Sequence, residues 1–305
     1  PVTHKVNIGY ASNYRTAKSA WNMSDKVSPN IYNPGAVPFP PTTMSSANQD
    51  PTLNSQVRAS SISVSDTLSV LDDKVQLMLG LRRQEVVIRN FDNGVADSKN
   101  VQDAMKVTPV YGLLVKPWEN VSLYANHIEA LSPGKVAPWY TANAGNVTGI
   151  IHAKQNEVGV KFDNQRYGGT LALFEITRPA GSIDATTNVY TLGGEQRNRG
   201  VEWSFFGAPL ADVRLMGGIA YVDPKVTKTE DALYKGKTAT AYPTLQGKLG
   251  VEWDTPGLDG LTLTGNATSL SRQYINEDNS LSIPGYTIFD IGARFATQVA
   301  NRPVT

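Results

Sequence analysis

The chain of 305 residues contains no cysteine, which excludes disulfide bridges, thiolate metal sites and cysteine nucleophiles. Its charged residues, 18% of the total, balance to a formal net charge of +1, so no polybasic surface for nucleic acid is expected. The sequence also lacks a run of about 18 apolar residues, the length that a transmembrane helix requires. Membrane crossing by helices is therefore excluded, whereas crossing by alternating β-strands is not.

Motifs for catalysis and metal binding are missing as well. The three histidines, His4, His127 and His152, lie far apart and show no metal-ligand spacing. No nucleophile elbow, P-loop or dinucleotide fingerprint occurs. The paired carboxylates Asp72 and Asp73 fall in a predicted tight turn, where aspartate favours the backbone geometry. We therefore expect no enzyme activity, no catalytic residues and no metal site formed by protein side chains.

Strand periodicity is what the sequence contains in abundance. In segment 261–268, apolar or small residues alternate with threonine and asparagine, and segments 74–82, 213–221 and 289–295 repeat the pattern. Successive strand side chains point to opposite faces, so each segment has one apolar and one polar face. The sequence predicts an all-β fold of about twelve strands. They are expected roughly at 3–14, 52–68, 74–90, 106–116, 120–130, 153–162, 169–178, 197–206, 212–223, 242–253, 260–271 and 285–296.

The predicted connections alternate between short turns and long loops. Short turns such as 71–73 and 117–119 are followed by long loops. The long loops are expected at about 15–51, 91–105, 131–152, 179–196, 224–241 and 272–284. Tight periplasmic turns, long extracellular loops and strands of roughly 9–11 residues are typical of an antiparallel transmembrane β-barrel. A soluble sandwich, whose strands have a mode near roughly 5–6 residues, fits less well but stays open.

Aromatic residues fall near the predicted strand ends. Rings at both membrane interfaces are typical of outer-membrane barrels, and the alternative is that they are ordinary core aromatics. The predicted interfacial rings are Trp118, Trp203, Trp253, Tyr111, Tyr124 and Tyr286.

Several segments, in their order, resemble the C-terminal half of TonB-dependent siderophore receptors, particularly the ferrichrome-type branch. These are SLYAN at 122–126, EALSPG at 129–134, KQNEVGVK at 154–161, LALFEIT at 171–177, GEQRNRGVE at 194–202, IPGY at 283–286 and DIGAR at 290–294. The resemblance implies a barrel of about 22 strands around an N-terminal plug. We expect residues 1–305 to be a partial β-barrel domain of such a receptor, with the plug domain and both barrel ends absent.

The resemblance also implies a function. It implies an outer-membrane receptor and transporter that binds a ferric siderophore at its extracellular loops and imports it with TonB-coupled energy. The implied partners are a ferric siderophore, with the hydroxamate type favoured, outer-membrane lipid, and the TonB–ExbB–ExbD complex acting through the missing plug. Iron arrives already chelated, so no cofactor is expected, and no nucleic acid is expected as a partner.

Two alternatives stay open at this point. The first is a passive porin or a surface-binding outer-membrane β-barrel. The small or polar residues Thr262, Thr264 and Asn266 at lumen-parity positions disfavour a selective porin, whose lumen should carry many charges. The second alternative is a soluble all-β binding module, which would dissolve without detergent.

Candidate ligand contacts lie on the predicted long loops. Aromatic rings among a few polar groups suit bulky amphipathic ligands, although such rings can also pack the loops against each other. The candidates are Trp21, Tyr32, Phe39, Trp139, Tyr140, Tyr190 and Tyr234. Glu195, Arg197 and Arg199 share one strand face at period two. They form either a lumen-facing ladder that contacts the plug or a solvated ion-pair network near the extracellular end.

Overall fold

The computed structural model describes residues 1–20, 32–33, 35, 50–92, 94–299 and 302–304. Strands occupy most of these ranges, and a 3-10 turn at Ala232–Tyr234 is the helical element that they contain. No helix in the described ranges is long and apolar enough to cross a membrane. The strands are β1 Thr3–Ser19, β2 Thr52–Val70, β3 Val75–Asp92, β4 Val95–Trp118, β5 Val121–Pro133, β6 Ile150–Asp163, β7 Tyr167–Ile183, β8 Tyr190–Leu210, β9 Val213–Lys228, β10 Leu245–Asp254, β11 Leu261–Leu270, β12 Gln273–Tyr274, β13 Ser282–Ile283, β14 Tyr286–Phe295, β15 Thr297–Val299 and β16 Arg302–Val304.

Twelve of the strands form one antiparallel sheet in the order β1 to β11 followed by β14. Each strand pairs with its neighbour in sequence, so the sheet is an up-and-down meander, as in β10–β11 where Trp253 lies opposite Leu263. The pairs β12–β13 and β15–β16 form two small separate hairpins. The predicted all-β class and all twelve predicted strands are confirmed.

The connections at the two ends of the sheet differ in length. One end carries short turns, including the predicted Asp72–Asp73 turn, where both residues have the positive φ that aspartate tolerates. The other end carries longer connections, among them 134–149, 229–244 and 271–285. We call these two ends the turn end and the loop end.

The predicted long loops at 91–105 and 179–196 are wrong in extent, because strands occupy most of both segments. Backbone pairing continues between β3 and β4 and between β7 and β8, as in Ile88 opposite Gln102 and Arg178 opposite Gln196. Pairing of backbone groups does not require apolar side chains, so a strand can extend well past the apolar stretch that reveals it in the sequence.

The two faces of the sheet differ in polarity. Leu77, Leu79 and Leu81 lie on one face of β3 and are all exposed. Cross-strand partners share a face, so Glu252 and its partner Thr264 belong to the opposite, polar face. An exposed apolar face would be costly in water and is favourable against lipid acyl chains. We call the apolar face the outer face and the polar one the inner face.

Most predicted interfacial rings lie at the exposed surface. Trp118, Trp203, Trp253, Tyr111 and Tyr286 are exposed large aromatics. The prediction for Tyr124 is wrong. Its hydroxyl donates to Glu157 Oε1 at 2.6 Å, and the ring is partly buried on the inner face. Alternate residues of β5 point to opposite faces of the sheet, and Tyr124, which pairs with Gly159, is one of those that point to the inner face. Its hydroxyl has a hydrogen-bond acceptor there.

A small apolar cluster lies near the loop end of the sheet. Val86 and Ile88 of β3 pack against Val147, which belongs to the 134–149 connection. That connection is a hairpin closed by a bridge between Val136 and Val147, and Gln102 Nε2 donates to the Val147 carbonyl at 3.4 Å. The partly buried residues around the cluster are Val57, Ala59, Leu131 and Ile150. This packing fixes the hairpin against the strands and so positions the adjoining pocket.

Candidate functional site

A pocket of about 540 Å³ opens at the loop end, above strands β7, β8 and β9. Its walls come from these strand ends and from the connections 134–149, 184–189, 229–244 and 271–285. The volume lies within the range of roughly 300–1,000 Å³ that is typical of small-molecule sites. The convergence of four connections on one cavity makes it the candidate functional site.

Tyrosines dominate the aromatic part of the pocket wall. Tyr140, Tyr190 and Tyr234 line it, and all three are among the predicted ligand contacts. Tyr242 lines it as well. Tyr242 is not among the predicted contacts, because the sequence predicts a strand that begins at residue 242. The structure therefore gathers three predicted rings, two from connections and Tyr190 from the start of β8, and their contact with a ligand stays a prediction.

Two other predicted aromatic contacts, Trp139 and Tyr32, do not line the pocket. Trp139 is 87% exposed and packs edge-to-face on Tyr140 with ring centroids 5.6 Å apart, outside the pocket wall. Tyr32 is 93% exposed and is not among the residues that line the pocket. Trp21 and Phe39 lie outside the described residues. Trp139 is consequently a neighbour of the pocket through Tyr140.

Arg178, near the loop end of β7, is the central polar group of the pocket wall. Its Nη2 donates to the Tyr242 hydroxyl at 2.7 Å and to Gln196 Oε1 at 3.0 Å. Its Nε is buried and has no hydrogen-bond partner among the described residues. A buried donor without an acceptor is costly, so this nitrogen is an unsatisfied polar group behind the pocket wall. In the sequence, Arg178 is a cation that directly follows the strand segment 171–177, and this position is the signal that could have identified it.

Asn143 joins two of the connections that form the pocket. Its side chain donates to the Tyr190 carbonyl at 2.8 Å and accepts from the Tyr190 N–H at 2.9 Å. The Asn188 side chain donates to the Tyr140 carbonyl at 3.0 Å in the same region. These bonds hold Tyr140 and Tyr190 in a fixed relation on one side of the pocket.

Asn279 makes an equivalent junction on the other side. Its side chain accepts from the Thr238 N–H at 2.8 Å and donates to the Thr238 carbonyl at 2.9 Å. A backbone bond from Ala241 N–H to the Tyr274 carbonyl at 2.8 Å supports the same junction. The 229–244 and 271–285 connections therefore form a second joined pair, facing the pair that Asn143 holds.

Replacing Asn143 with alanine should loosen only the first pair. Two hydrogen bonds to Tyr190 are lost, each worth about 1 kcal/mol, so local opening becomes roughly tenfold easier or more. We expect hydrogen exchange at Tyr190 to accelerate accordingly in the full-length protein, measured by mass spectrometry. Asn279→Ala is the matched control, which should accelerate exchange at Thr238 and leave Tyr190 unchanged. Equal exchange at Tyr190 in Asn143→Ala and the parent protein would contradict the junction.

Asp184 organises the 184–189 turn between β7 and β8. One carboxylate oxygen accepts from the backbone N–H groups of Thr186 and Thr187, each at 2.8 Å. The Thr187 bond first, and then the Thr186 bond, lowers the pKa of the Asp184 carboxyl below its usual value. The charged carboxylate therefore stabilises the turn next to Tyr190.

The Asp184 turn should weaken in acid. Because the folded pKa is lowered, the stabilisation is fully present above the unfolded pKa of about 3.9 and is lost as pH falls through the lower folded value. Hydrogen exchange across 184–190, corrected for the intrinsic rate, should show protection at pH 6 that declines as the pH falls below the unfolded pKa of about 3.9. Asp184→Asn should lack this pH dependence. An unchanged pH profile in that variant would contradict the assignment.

Tyr190 packs tightly over the end of β7, outside the apolar outer-face stretch. A Cβ atom on Gly181 would lie 1.8 Å from the Tyr190 hydroxyl oxygen, so a larger residue there would displace the Tyr190 ring. Burial first, and then the nearby Tyr140 and Glu277, raises the pKa of the Tyr190 hydroxyl. The hydroxyl therefore stays protonated near neutral pH and can donate to an acceptor in the pocket.

The strand-face triad Glu195, Arg197 and Arg199 lies away from the pocket wall. The register gives Arg197 and Arg199 the parity of Trp203, which belongs to the outer face. Arg199 Nε donates to Glu175 of β7, and this ion pair is largely exposed. A register shift follows Glu195 in its pairing with β9. Thr227 Oγ1 donates to Glu195 Oε1 at 2.6 Å, so Arg199 alone of the three has an ion pair among the described residues, and both interpretations of the triad stay predictions.

Comparisons with known proteins point to one family. Residues 2–301 match the profile of the family described as TonB dependent receptor-like, beta-barrel. The ferrichrome receptor FcuA of Yersinia enterocolitica is 57% identical over 310 residues, covering 100% of this chain and 41% of that protein. The ferrichrome outer membrane transporter/phage receptor of Escherichia coli K12 is 29% identical, covering 91% of this chain and 37% of that protein. The chain thus spans about two fifths of the length of these curated relatives.

A solved structure extends the agreement to the fold. The crystal structure of BauA, the ferric preacinetobactin receptor of Acinetobacter baumannii, superposes with a TM-score of 0.76 at 41% identity. The match covers 99% of this chain and 46% of that one. The predicted resemblance and the predicted outer-membrane location are confirmed. The chain belongs to the TonB-dependent receptor family, of which it forms part of the outer-membrane β-barrel.

Proposed function

We propose that the protein to which this chain belongs binds a ferric siderophore at its extracellular loops and imports it with TonB-coupled energy. The observation that carries the proposal is the pocket at the loop end, where Tyr140, Tyr190, Tyr234 and Arg178 meet. Rings with a few polar donors suit a bulky chelate that presents apolar methylenes and oxygen acceptors. A ligand seated there contacts connections from both joined pairs.

The relatives support a siderophore as the ligand class. FcuA is named a ferrichrome receptor and BauA a ferric preacinetobactin receptor. The identity to FcuA over the whole chain favours a hydroxamate siderophore for this protein. Iron then enters as the chelated cargo, so the proposal needs no resident cofactor and no set of protein ligands to iron.

The remaining partners follow from the membrane setting. Strands β1 and β14 are the sheet edges, and all their side chains are exposed. Unpaired backbone groups at such edges are costly in a bilayer, so we propose that further strands of the parent protein complete the barrel. Energy from the TonB–ExbB–ExbD complex would enter through a plug domain, and the outer face would contact outer-membrane lipid.

A passive porin is the second candidate from the sequence, and the relatives give it no support. The two functions differ in kinetics, because a porin conducts solute in proportion to its concentration and needs no energy source. Receptor-mediated import saturates with ligand and stops when the inner membrane is de-energised. This difference provides the cellular test.

The binding test is tryptophan quenching of the full-length, detergent-purified receptor. Trp139 lies on Tyr140 at the pocket edge, so ligand entry should quench its emission. A ferric hydroxamate is expected to quench saturably at sub-micromolar concentration, and the iron-free form should bind more weakly. Trp139→Phe should reduce the signal and retain binding by filter assay. A folded receptor that binds no ferric chelate would overturn the proposed function.

A further inference from the structure

We infer that the Tyr190 ring limits the size of the ferric chelate that the loop-end pocket admits, and that Gly181 allows this ring to lie back from the cavity. The inference rests on the proposed function and deepens it by assigning the residues that determine ligand size. Both residues line the pocket, Gly181 near the end of β7 and Tyr190 at the start of β8. They lie on the same face of the sheet, because Tyr190 pairs with Ile183, two residues beyond Gly181.

The Tyr190 ring occupies the space that a side chain at residue 181 would fill. A Cβ atom on Gly181 would overlap the Tyr190 hydroxyl oxygen and Cζ, and it would lie 2.5 Å from Cε2. An ordinary carbon contact is roughly 3.5–4.0 Å long, and a glycine inside a strand often marks such a close approach. The ring therefore lies against the backbone of β7 because residue 181 has no side chain.

The sheet is irregular at this position. Ala180 pairs with Gly194 and Ser182 pairs with Thr191, so the register shifts at Gly181. Shifts of this kind bend a strand and re-aim its side chains. The path of the Tyr190 ring across Gly181 is thus a local feature of the β7–β8 pair.

The backbone of Tyr190 is held in place, so a clash at residue 181 would move the ring. Asn143 binds both the N–H of Tyr190, at 2.9 Å, and its carbonyl, at 2.8 Å. The Asp184 N–H also donates to the carbonyl of the preceding Val189 at 3.0 Å. Because β7 lies on one side of the ring and the ring borders the cavity, the displaced ring would turn into the cavity.

The position of this ring therefore determines the space that a ligand can use. A ring turned into a pocket of about 540 Å³ removes space, whereas a small side chain at residue 190 adds space. Overfilling a packed site by this amount should weaken binding by about tenfold.

The test uses two neutral ferric trihydroxamates that differ in bulk, ferrichrome and an analogue with enlarged hydroxamate acyl groups. Their affinities for the full-length, detergent-purified receptor are measured by filter assay with radiolabelled iron. The parent should prefer ferrichrome, and Tyr190→Ala should reduce that preference by about tenfold. Gly181→Ala should weaken ferrichrome binding by about tenfold, and it should have no effect when added to Tyr190→Ala.

Gly193→Ala is the matched control. Gly193 is a glycine of β8 that does not line the pocket, and its added Cβ would meet the ends of the Thr191 and Glu230 side chains at 3.0 and 3.1 Å. These side-chain ends can move aside, so both affinities should equal those of the parent.

The outcomes separate the inference from the proposed function. The inference is wrong if folded Gly181→Ala binds ferrichrome like the parent, or if it weakens binding equally with and without the Tyr190 ring. If Gly181→Ala does not fold, as judged by heat-modifiable gel migration, Tyr190→Ala decides, because an unchanged preference for ferrichrome would overturn the size limit. The receptor function stands in each of these cases. If neither chelate binds a folded parent protein, the proposed function itself fails.

Discussion

Replacing Arg178 with methionine is expected to weaken binding of the ferric ligand by about tenfold to a hundredfold. The substitution removes a charged guanidinium from the pocket wall together with the bonds from Nη2 to Tyr242 and Gln196. Hydrogen bonds from a charged donor are worth about 1.5–3 kcal/mol, and each 1.4 kcal/mol is a factor of ten in affinity. Methionine keeps a long apolar stem, so the space that Arg178 occupies stays largely filled.

Two further variants identify the cause of that loss. Arg178→Lys keeps the charge but replaces the planar guanidinium with a single ammonium nitrogen on a shorter stem, so it should recover only a small part of the affinity. Arg166→Met is the matched control, because Arg166 lies at the turn end, where its Nε donates to the Ala208 carbonyl. Titration of the full-length receptor should show parent-like affinity for that control. Equal affinities in the parent and in Arg178→Met would remove Arg178 from the site.

The sheet could be predicted from the sequence because lipid and lumen impose opposite demands on alternate residues. Leu261 and Leu263 alternate with Thr262 and Thr264, and that parity is the one that the register shows. The positions at which strands end were harder to predict from the sequence. Beyond the bilayer the alternation fades while backbone pairing persists, so Pro179 and Glu195 were assigned to a loop although they pair in β7 and β8.

The pocket was predictable only in part. Tyr140, Tyr190 and Tyr234 stood out because large rings on polar loops are unusual enough to suggest a ligand. Their meeting in one pocket depends on the Asn143 and Asn279 junctions, and an asparagine in a loop gives no sign of its partner. Arg178 was missed for a related reason, since a single charge has meaning only beside its neighbours.

Replacing Leu249 with arginine is expected to destabilise the folded receptor by about 2–4 kcal/mol, the cost of a cation at the lipid-facing midplane of a barrel. Leu249 lies in the middle of β10, opposite Ala267 of β11 and Gly217 of β9. It is 43% exposed, and its surroundings are apolar or small, so lipid is its main neighbour. The measurement is the folded fraction of full-length receptor in lipid vesicles across a urea series, followed by heat-modifiable gel migration.

Lys248, the adjacent residue, provides the matched control because it lies on the opposite face of the same strand. Lys248→Leu removes a cation from the polar inner face and should change the unfolding free energy by less than about 0.5 kcal/mol. The exchange Lys248→Leu with Leu249→Lys keeps composition constant and should still cost about as much as Leu249→Arg, because the cation now faces lipid. A destabilised Lys248→Leu together with an unaffected Leu249→Arg would reverse the assignment of the two faces. The register places Leu249, Val251 and Trp253 on the same face of β10. The reversed assignment would therefore require all three side chains to face the lumen and not the membrane.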